Sequence, residues 1–324
     1  MAPPFDPEFA AAFEPFIPFL AAQPKPAIHD IQARRERCKQ VLVPLANAVP
    51  LSPDIEITVH HVASYDGHKI EVHEFRKKSA TSTTSTSAVV HAHGGGMIVA
   101  DVHTFKHLVA MIVEKTGVPF FSVDYRSAPE VTGTSLVDDC YAALLWLKEN
   151  AVKFNIDPAR IGVAGESAGG GIAAGVALKA RDEGLSPPLA KQVLTYPMLD
   201  DRNNKPIEFI EALQPSWSLN DNITGWTALL GKDKAGIPDA DVSEYSAPAR
   251  AKSVKGLPST YIDVGTLDIF REEDMLYASR IAAENIDCEF HLYPGVPHGF
   301  ELIALQSGIV QQAFQNRIKA ILSF

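Results

Sequence analysis

The chain has 324 residues, 46% of them hydrophobic and 21% charged, with a net charge of −10. That apolar content suffices for a full core and excludes a disordered chain. The acidic balance, with a pI near 5.6, argues against nucleic acid or an anionic membrane surface as partner.

The N-terminal apolar stretch lacks a basic start and is interrupted by Asp6, Glu8 and Glu14, so no secretory signal is expected. No run approaches the roughly 18 apolar residues that a membrane-spanning helix needs. Cys38, Cys140 and Cys288 lie far apart without metal spacing. Buried free thiols are expected, which suits a reducing, cytoplasmic compartment.

In chain order, Phe5, Phe9, Phe13, Phe16 and Phe19 recur at three- and four-residue spacing among prolines at 3, 4, 7, 15, 18, 24 and 26. The spacing predicts a short helix from about Pro7 to Phe13, followed by a proline-broken segment. This arm either packs on the core through its aromatics or contributes to a cap over a pocket. A second helical pattern covers 28–47. Strands are predicted at 55–63 and 69–76, and Tyr65-Asp66-Gly67-His68 between them signals a hairpin. The Ser/Thr tract at 79–87 reads as a polar, mobile loop.

Beyond it the chain alternates. Apolar runs at 88–92, 119–124, 160–164, 191–196, 258–264 and 288–293 are separated by helical patterns at about 103–116, 135–154, 168–183, 271–285 and 305–322. Such alternation predicts an α/β fold, a mostly parallel sheet of about eight strands with helices on both faces. The crossover from 197 to 257 is too long for a simple connection and reads as an insertion with one or two helices. It carries Trp217 and Trp226, which could also join the arm in a homodimer surface.

In parallel α/β sheets, function gathers where strands end. His93-Gly94-Gly95-Gly96-Met97 follows the run at 88–92, and Ser167 follows 160–164. Asp268 follows 258–264, and His298-Gly299-Phe300 follows 288–293. Gly165-Glu166-Ser167-Ala168-Gly169 has the form of a nucleophile elbow between strand and helix, and the order Ser, acid, His fits a hydrolase of that type. Ser167 needs a base, His298 can serve as one, and Asp268 can orient the imidazole. Backbone N–H groups of Gly95, Gly96 and Ala168, with Gly94 as a further candidate, would form the oxyanion hole. Asp263, inside a strand, and Glu272, Glu273 and Asp274, in a first helical turn, are the competing acids; position favours Asp268. His91, His93, His103 and His107 do not meet a zinc pattern, and no metal is expected.

The chain resembles the hormone-sensitive-lipase-like family of α/β-hydrolase carboxylesterases. The resemblance rests on His93 to Gly96, Asp124-Tyr125-Arg126-Ser127-Ala128-Pro129-Glu130, Gly165 to Gly170, Tyr196-Pro197, Asp268 with Arg271-Glu272, Tyr277-Ala278 and His298-Gly299-Phe300. It implies an α/β-hydrolase catalytic domain over 51–324. It also implies a helical cap built from an N-terminal arm (1–50) and an insertion at about 200–245. The implied substrates are short- to medium-chain acyl esters, with no cofactor, and Met97, Trp217 and Phe300 are candidate pocket residues. Met97 replaces the family's aromatic, Glu166 its more frequent Asp, and Ile269 a Pro, which leaves chain-length preference open. A lactonase or amidase with the same triad is the alternative. A non-catalytic small-molecule receptor on this fold is disfavoured by His298.

Overall fold

A computed structural model describes residues 4–79, 85–207, 210 and 216–324. Its N-terminal segment forms α1 (Pro7–Phe13), α2 (Ile17–Ala22), α3 (Ile31–Arg37) and α4 (Val43–Ala46), with a wide π-turn at Cys38–Leu42 joining the last two. Asp6 caps α1 by accepting from the N–H groups of Glu8 and Phe9, which satisfies two otherwise orphaned donors. The rings of Phe5, Phe9 and Phe13 cluster at 5.5–5.8 Å. Phe9 is fully buried in a core with Val296, Phe300 and Val310.

Eight strands form one sheet: β1 (Ile55–Ala63), β2 (Lys69–Lys77), β3 (Thr86–Ala92), β4 (Phe120–Asp124), β5 (Ile156–Glu166), β6 (Lys191–Thr195), β7 (Ser259–Gly265) and β8 (Cys288–Tyr293). Their order is β1-β2-β4-β3-β5-β6-β7-β8. β2 pairs antiparallel with both β1 and β4, and every other pairing is parallel. The central strands are apolar on both faces because helices cover both. α5 (Val102–Thr116), α6 (Ser135–Glu149), α7 (Ala168–Asp182), α8 (Leu219–Leu230), α9 (Arg271–Ala283), α10 (Glu301–Ala304) and α11 (Gly308–Leu322) complete the described helices. Leu144 of α6, Ile172 of α7 and Ile281 of α9 share one core. Val109 and Val113 of α5 share another with Ala320 and Ile321 of α11. At about 25 cal/mol per Å² of apolar surface removed from water, these two layers are the dominant stabilising term.

Two features differ from the expectations above. The helix expected over 305–322 starts three residues late, at Gly308, as α11, and a separate helical turn, α10, precedes it at Glu301–Ala304. β5 starts four residues early, because Ile156 pairs with Thr86 before a register shift restores the ladder. In the long crossover, where one or two helices are expected, the described residues hold one α-helix, α8, and a 3₁₀ turn at Pro248–Arg250. α8 begins at a capping box between Ser218 and Asp221. Trp226 of α8 is 1% exposed and packs inside this chain, so it offers no dimer surface. Residues 80–84 of the Ser/Thr tract, and 208, 209 and 211–215 of the cap insertion, lie outside the described residues.

α9 carries a buried anomaly. Asp274 is fully buried, and neither carboxylate oxygen has a hydrogen-bond partner among the described residues. Burial pushes its pKa well above the usual carboxylate range, and Glu273, Asp268 and Asp263 push the same way. A group with a raised folded-state pKa contributes stability that is lost as pH rises above its unfolded value. Asp274→Asn keeps the polar burial and removes the titration. The variant should therefore match the wild type below about pH 4 and exceed its melting temperature by about 2 °C or more at pH 8. Melting curves from pH 4 to 9 check this; a gap that does not widen with pH would rule it out.

Candidate active site

β5 ends at Glu166, and the chain turns sharply at Ser167 into α7. Ser167 has φ 58° and ψ −123°, a conformation unfavourable for any side chain except where the surroundings impose it. The imposition comes from close packing. A Cβ on Gly169 would lie 2.0 Å from the Ala92 carbonyl oxygen, so only glycine lets α7 start against the end of β3. The Ser167 N–H donates to the Thr195 carbonyl at 2.9 Å, and its own carbonyl accepts from Met198. The hydroxyl is thereby aimed away from the sheet.

Asp268 follows β7, His298 follows β8, and both converge on that hydroxyl. His298 Nε2 is 2.9 Å from Ser167 Oγ, and His298 Nδ1 is 2.7 Å from Asp268 Oδ2. The other Asp268 oxygen accepts from the Phe270 N–H at 2.9 Å. Phe270 and Tyr196 meet the imidazole edge-on, with centroids at 5.0 and 4.6 Å. The ring is thus fixed by packing as well as by hydrogen bonds. Of the competing acids, Asp263 is bound to Arg317. Glu273 accepts from the Leu199 and Asp200 N–H groups and from Asn203, and Glu272 is exposed.

The glycine loop lies beside the serine. Gly95 and Gly96 have φ of +126° and +56°, which glycine alone adopts readily. The N–H groups of Gly95, Gly96 and Ala168 have no acceptor among the described residues. The Gly94 N–H differs: it donates to Glu166 Oε1 at 2.8 Å. This removes Gly94 from the set of available oxyanion donors and makes it an anchor of the loop. The second Glu166 oxygen meets His91 Nε2 at 2.9 Å, and His91 Nδ1 meets Ser122 Oγ at 2.8 Å. His93 stacks on Tyr125 at 4.3 Å, and the Tyr125 hydroxyl donates to the His93 carbonyl at 2.7 Å. Burial lowers the His93 pKa, so a neutral ring supports the loop. His103 meets the ring of His73, and His107 reaches the Val49 carbonyl. The four histidines of the sequence cluster therefore diverge.

A cavity opens over Ser167, His298 and the glycine loop. Trp217 lines it, with its indole close enough to Gly96 that a Cβ there would sit 1.8 Å from the ring. Met97 and Phe300 do not line it. Met97 has φ +69° and is 2% exposed, turned into the core. Phe300 is fully buried beside Tyr196, Tyr293 and Arg317. In their place the N-terminal segment supplies Leu20, Val41, Leu42 and Leu45, and the stretch after His298 supplies Leu302 and Ile303. The arm thus serves both readings: Phe5, Phe9 and Phe13 pack, while residues from 20 to 45 wall the cavity. The sequence pointed to the arm as part of a cap but not to these residues, because helical spacing over 28–47 marks an apolar face without saying what it covers. Among the described residues no helix is long and apolar enough to cross a membrane.

The chain is similar to known proteins. The family described as having the alpha/beta hydrolase fold matches residues 89–302. Lipase 2 of Moraxella sp. is 29% identical over 78% of this chain and 64% of its own length. Carboxylesterase NlhH of Mycobacterium tuberculosis is 34% identical over 67% of each chain. The chain thus spans about two thirds of these relatives. Among solved structures, a bacterial heroin esterase superposes with a TM-score of 0.86 at 32% identity, covering 98% of this chain and 97% of that one. A family match across most of the chain, with full-length structural likeness above 30% identity, shows that the chain belongs to the hormone-sensitive-lipase-like branch of the α/β-hydrolases, a family of carboxylesterases, esterases and lipases.

Proposed function

We propose that the protein is a serine carboxylesterase that cleaves short- to medium-chain acyl esters through an acyl-enzyme. The observation that carries this reading is the line Asp268–His298–Ser167, set beside three backbone N–H groups that lack acceptors among the described residues. The Ser167 hydroxyl attacks the ester carbonyl while His298 Nε2 takes its proton. Asp268 holds the tautomer with Nδ1 protonated and stabilises the imidazolium that forms. The tetrahedral oxyanion accepts from Gly95, Gly96 and Ala168, each such donor contributing about 3 kcal/mol to the transition state. His298 then gives its proton to the departing alkoxide, and the alcohol leaves. Water repeats the sequence in reverse, attacking the acyl-enzyme with His298 as base and freeing Ser167 and the acid.

The leucine-rich wall of the cavity supports an acyl chain in van der Waals contact. p-Nitrophenyl acetate, butyrate, octanoate and laurate sample its length. Turnover should be highest on one of the first three and lower on laurate. A fluorophosphonate should abolish turnover and attach to the peptide carrying Ser167, seen by mass spectrometry. Folded protein that turns over none of these esters and takes no label would sink the reading.

A further inference from the structure

The cavity over Ser167 has an electrostatic asymmetry that simple fatty acyl esters do not use. Among the described residues four charged side chains line it: Arg34, Arg37, Glu166 and Asp221. Both acids are fully engaged. Glu166 accepts from Gly94 and meets His91. Asp221 accepts from Arg34 Nε at 2.8 Å with one oxygen and from Ser218 with the other. The cations are not fully engaged. Arg34 is 4% exposed and tied by Nε to Asp221 and by Nη1 to the Ala27 and Asp30 carbonyls, yet its Nη2 has no partner among the described residues. Arg37 is half-buried and makes no ion pair or hydrogen bond among the described residues. It lies three residues on in α3, on the same helical face. Trp217 also lines the cavity, and its buried indole N–H lacks an acceptor among the described residues. Among the described residues that line this cavity, the polar groups without partners are thus donors, two of them guanidinium groups. A buried donor without an acceptor is costly, and guanidinium groups fit carboxylates bidentately.

We infer that the α3 wall of the cavity recognises a carboxylate on the substrate, so that the preferred esters carry a second, anionic group. The inference rests on the ester-hydrolase reading and deepens it. The carboxylate can belong to the acyl part or to the alcohol part, and two substrates separate these sources. Monomethyl glutarate places it on the acyl side and is compared with methyl hexanoate. 4-Acetoxybutyrate places it on the alcohol side and is compared with pentyl acetate. In the wild type, kcat/KM for one of the two anionic esters should exceed that of its neutral match by about tenfold or more, as charge-assisted hydrogen bonds allow. Within Arg37→Gln the same ratio should collapse towards one, Arg37→Lys should restore part of it, and the preference should weaken as salt rises.

Inhibition of the wild type gives a check that needs no variant. Glutarate should inhibit p-nitrophenyl butyrate hydrolysis more strongly than glutaramide, and the gap should narrow with salt. Neutral esters preferred in both pairs, a ratio unmoved by Arg37→Gln in folded protein, or equal inhibition by glutarate and glutaramide would each overturn the inference. Turnover of p-nitrophenyl butyrate is read separately. Its presence with no anionic preference overturns only the carboxylate wall, whereas its absence removes the esterase reading itself.

Discussion

Ser167→Ala is expected to lower kcat for p-nitrophenyl butyrate by on the order of 10⁵–10⁶, with the fold intact. Among the described residues the hydroxyl is the nucleophile that meets His298 Nε2, at 2.9 Å, and alanine leaves the imidazole without it. Removing His298 as well should cost little more, because the two act as one unit and their losses do not add. Asp268→Asn tests the third member differently. The Asn amide can donate to Nδ1 and so favours the tautomer protonated at Nε2, which cannot act as base towards Ser167. A loss of about 10⁴ is expected in that variant. Activity remaining above background in all three should come from the N–H groups of Gly95, Gly96 and Ala168, which these changes leave in place. A loss below about a hundredfold in Ser167→Ala would show that the elbow serine is not the nucleophile. Burst kinetics with the p-nitrophenyl ester, where acylation outruns deacylation, would report the acyl-enzyme directly.

The strands and the elbow were legible because each is dictated locally. Period-two and fully apolar runs specify strands of half-buried and buried kind, and all eight are present, β5 with four residues added at its start. Gly165 and Gly169 stand where strand and helix touch, so their spacing is a steric necessity that sequence displays. The cavity wall was far less legible. Arg34 and Arg37 look like an ordinary charged helix face until the fold places α3 against Ser167 and Asp221 against Arg34, 187 residues away in sequence. Met97 sits beside the glycine run, but its positive φ turns the side chain inward. Phe300 follows His298 by two residues, yet packs beneath the site. Proximity in sequence to a catalytic group does not decide which way a side chain points. Glu166 illustrates the reverse: as the longer homologue of the usual Asp, it spans from the Gly94 N–H to His91, a bridge that needs tertiary structure to see.

Arg317→Met is expected to destabilise the protein by about 3–5 kcal/mol, the largest loss predicted for a single side chain outside the reacting groups. Arg317 is 4% exposed and Asp263 fully buried. They meet bidentately, Nε to Oδ2 at 2.7 Å and Nη2 to Oδ1 at 2.9 Å. Burial works against the Arg317 charge, but Asp263 and Glu301 outweigh it and raise its pKa. Taking away the arginine strands two carboxylates in a low-dielectric site, which costs far more than the intact pair contributes. The effect should reach the chemistry as well. Glu301 holds Arg317 Nη1 at 3.2 Å and accepts from the Tyr196 hydroxyl, and Tyr196, at φ +34°, is the ring against His298. Urea denaturation should show the stability loss, and kcat/KM should fall in the folded fraction as Tyr196 loses its anchor. Adding Asp263→Asn should recover part of the stability, since it removes a charge the first change left unpaired. A loss under about 1 kcal/mol in Arg317→Met would mean that water reaches this pair and screens it as it would an exposed ion pair.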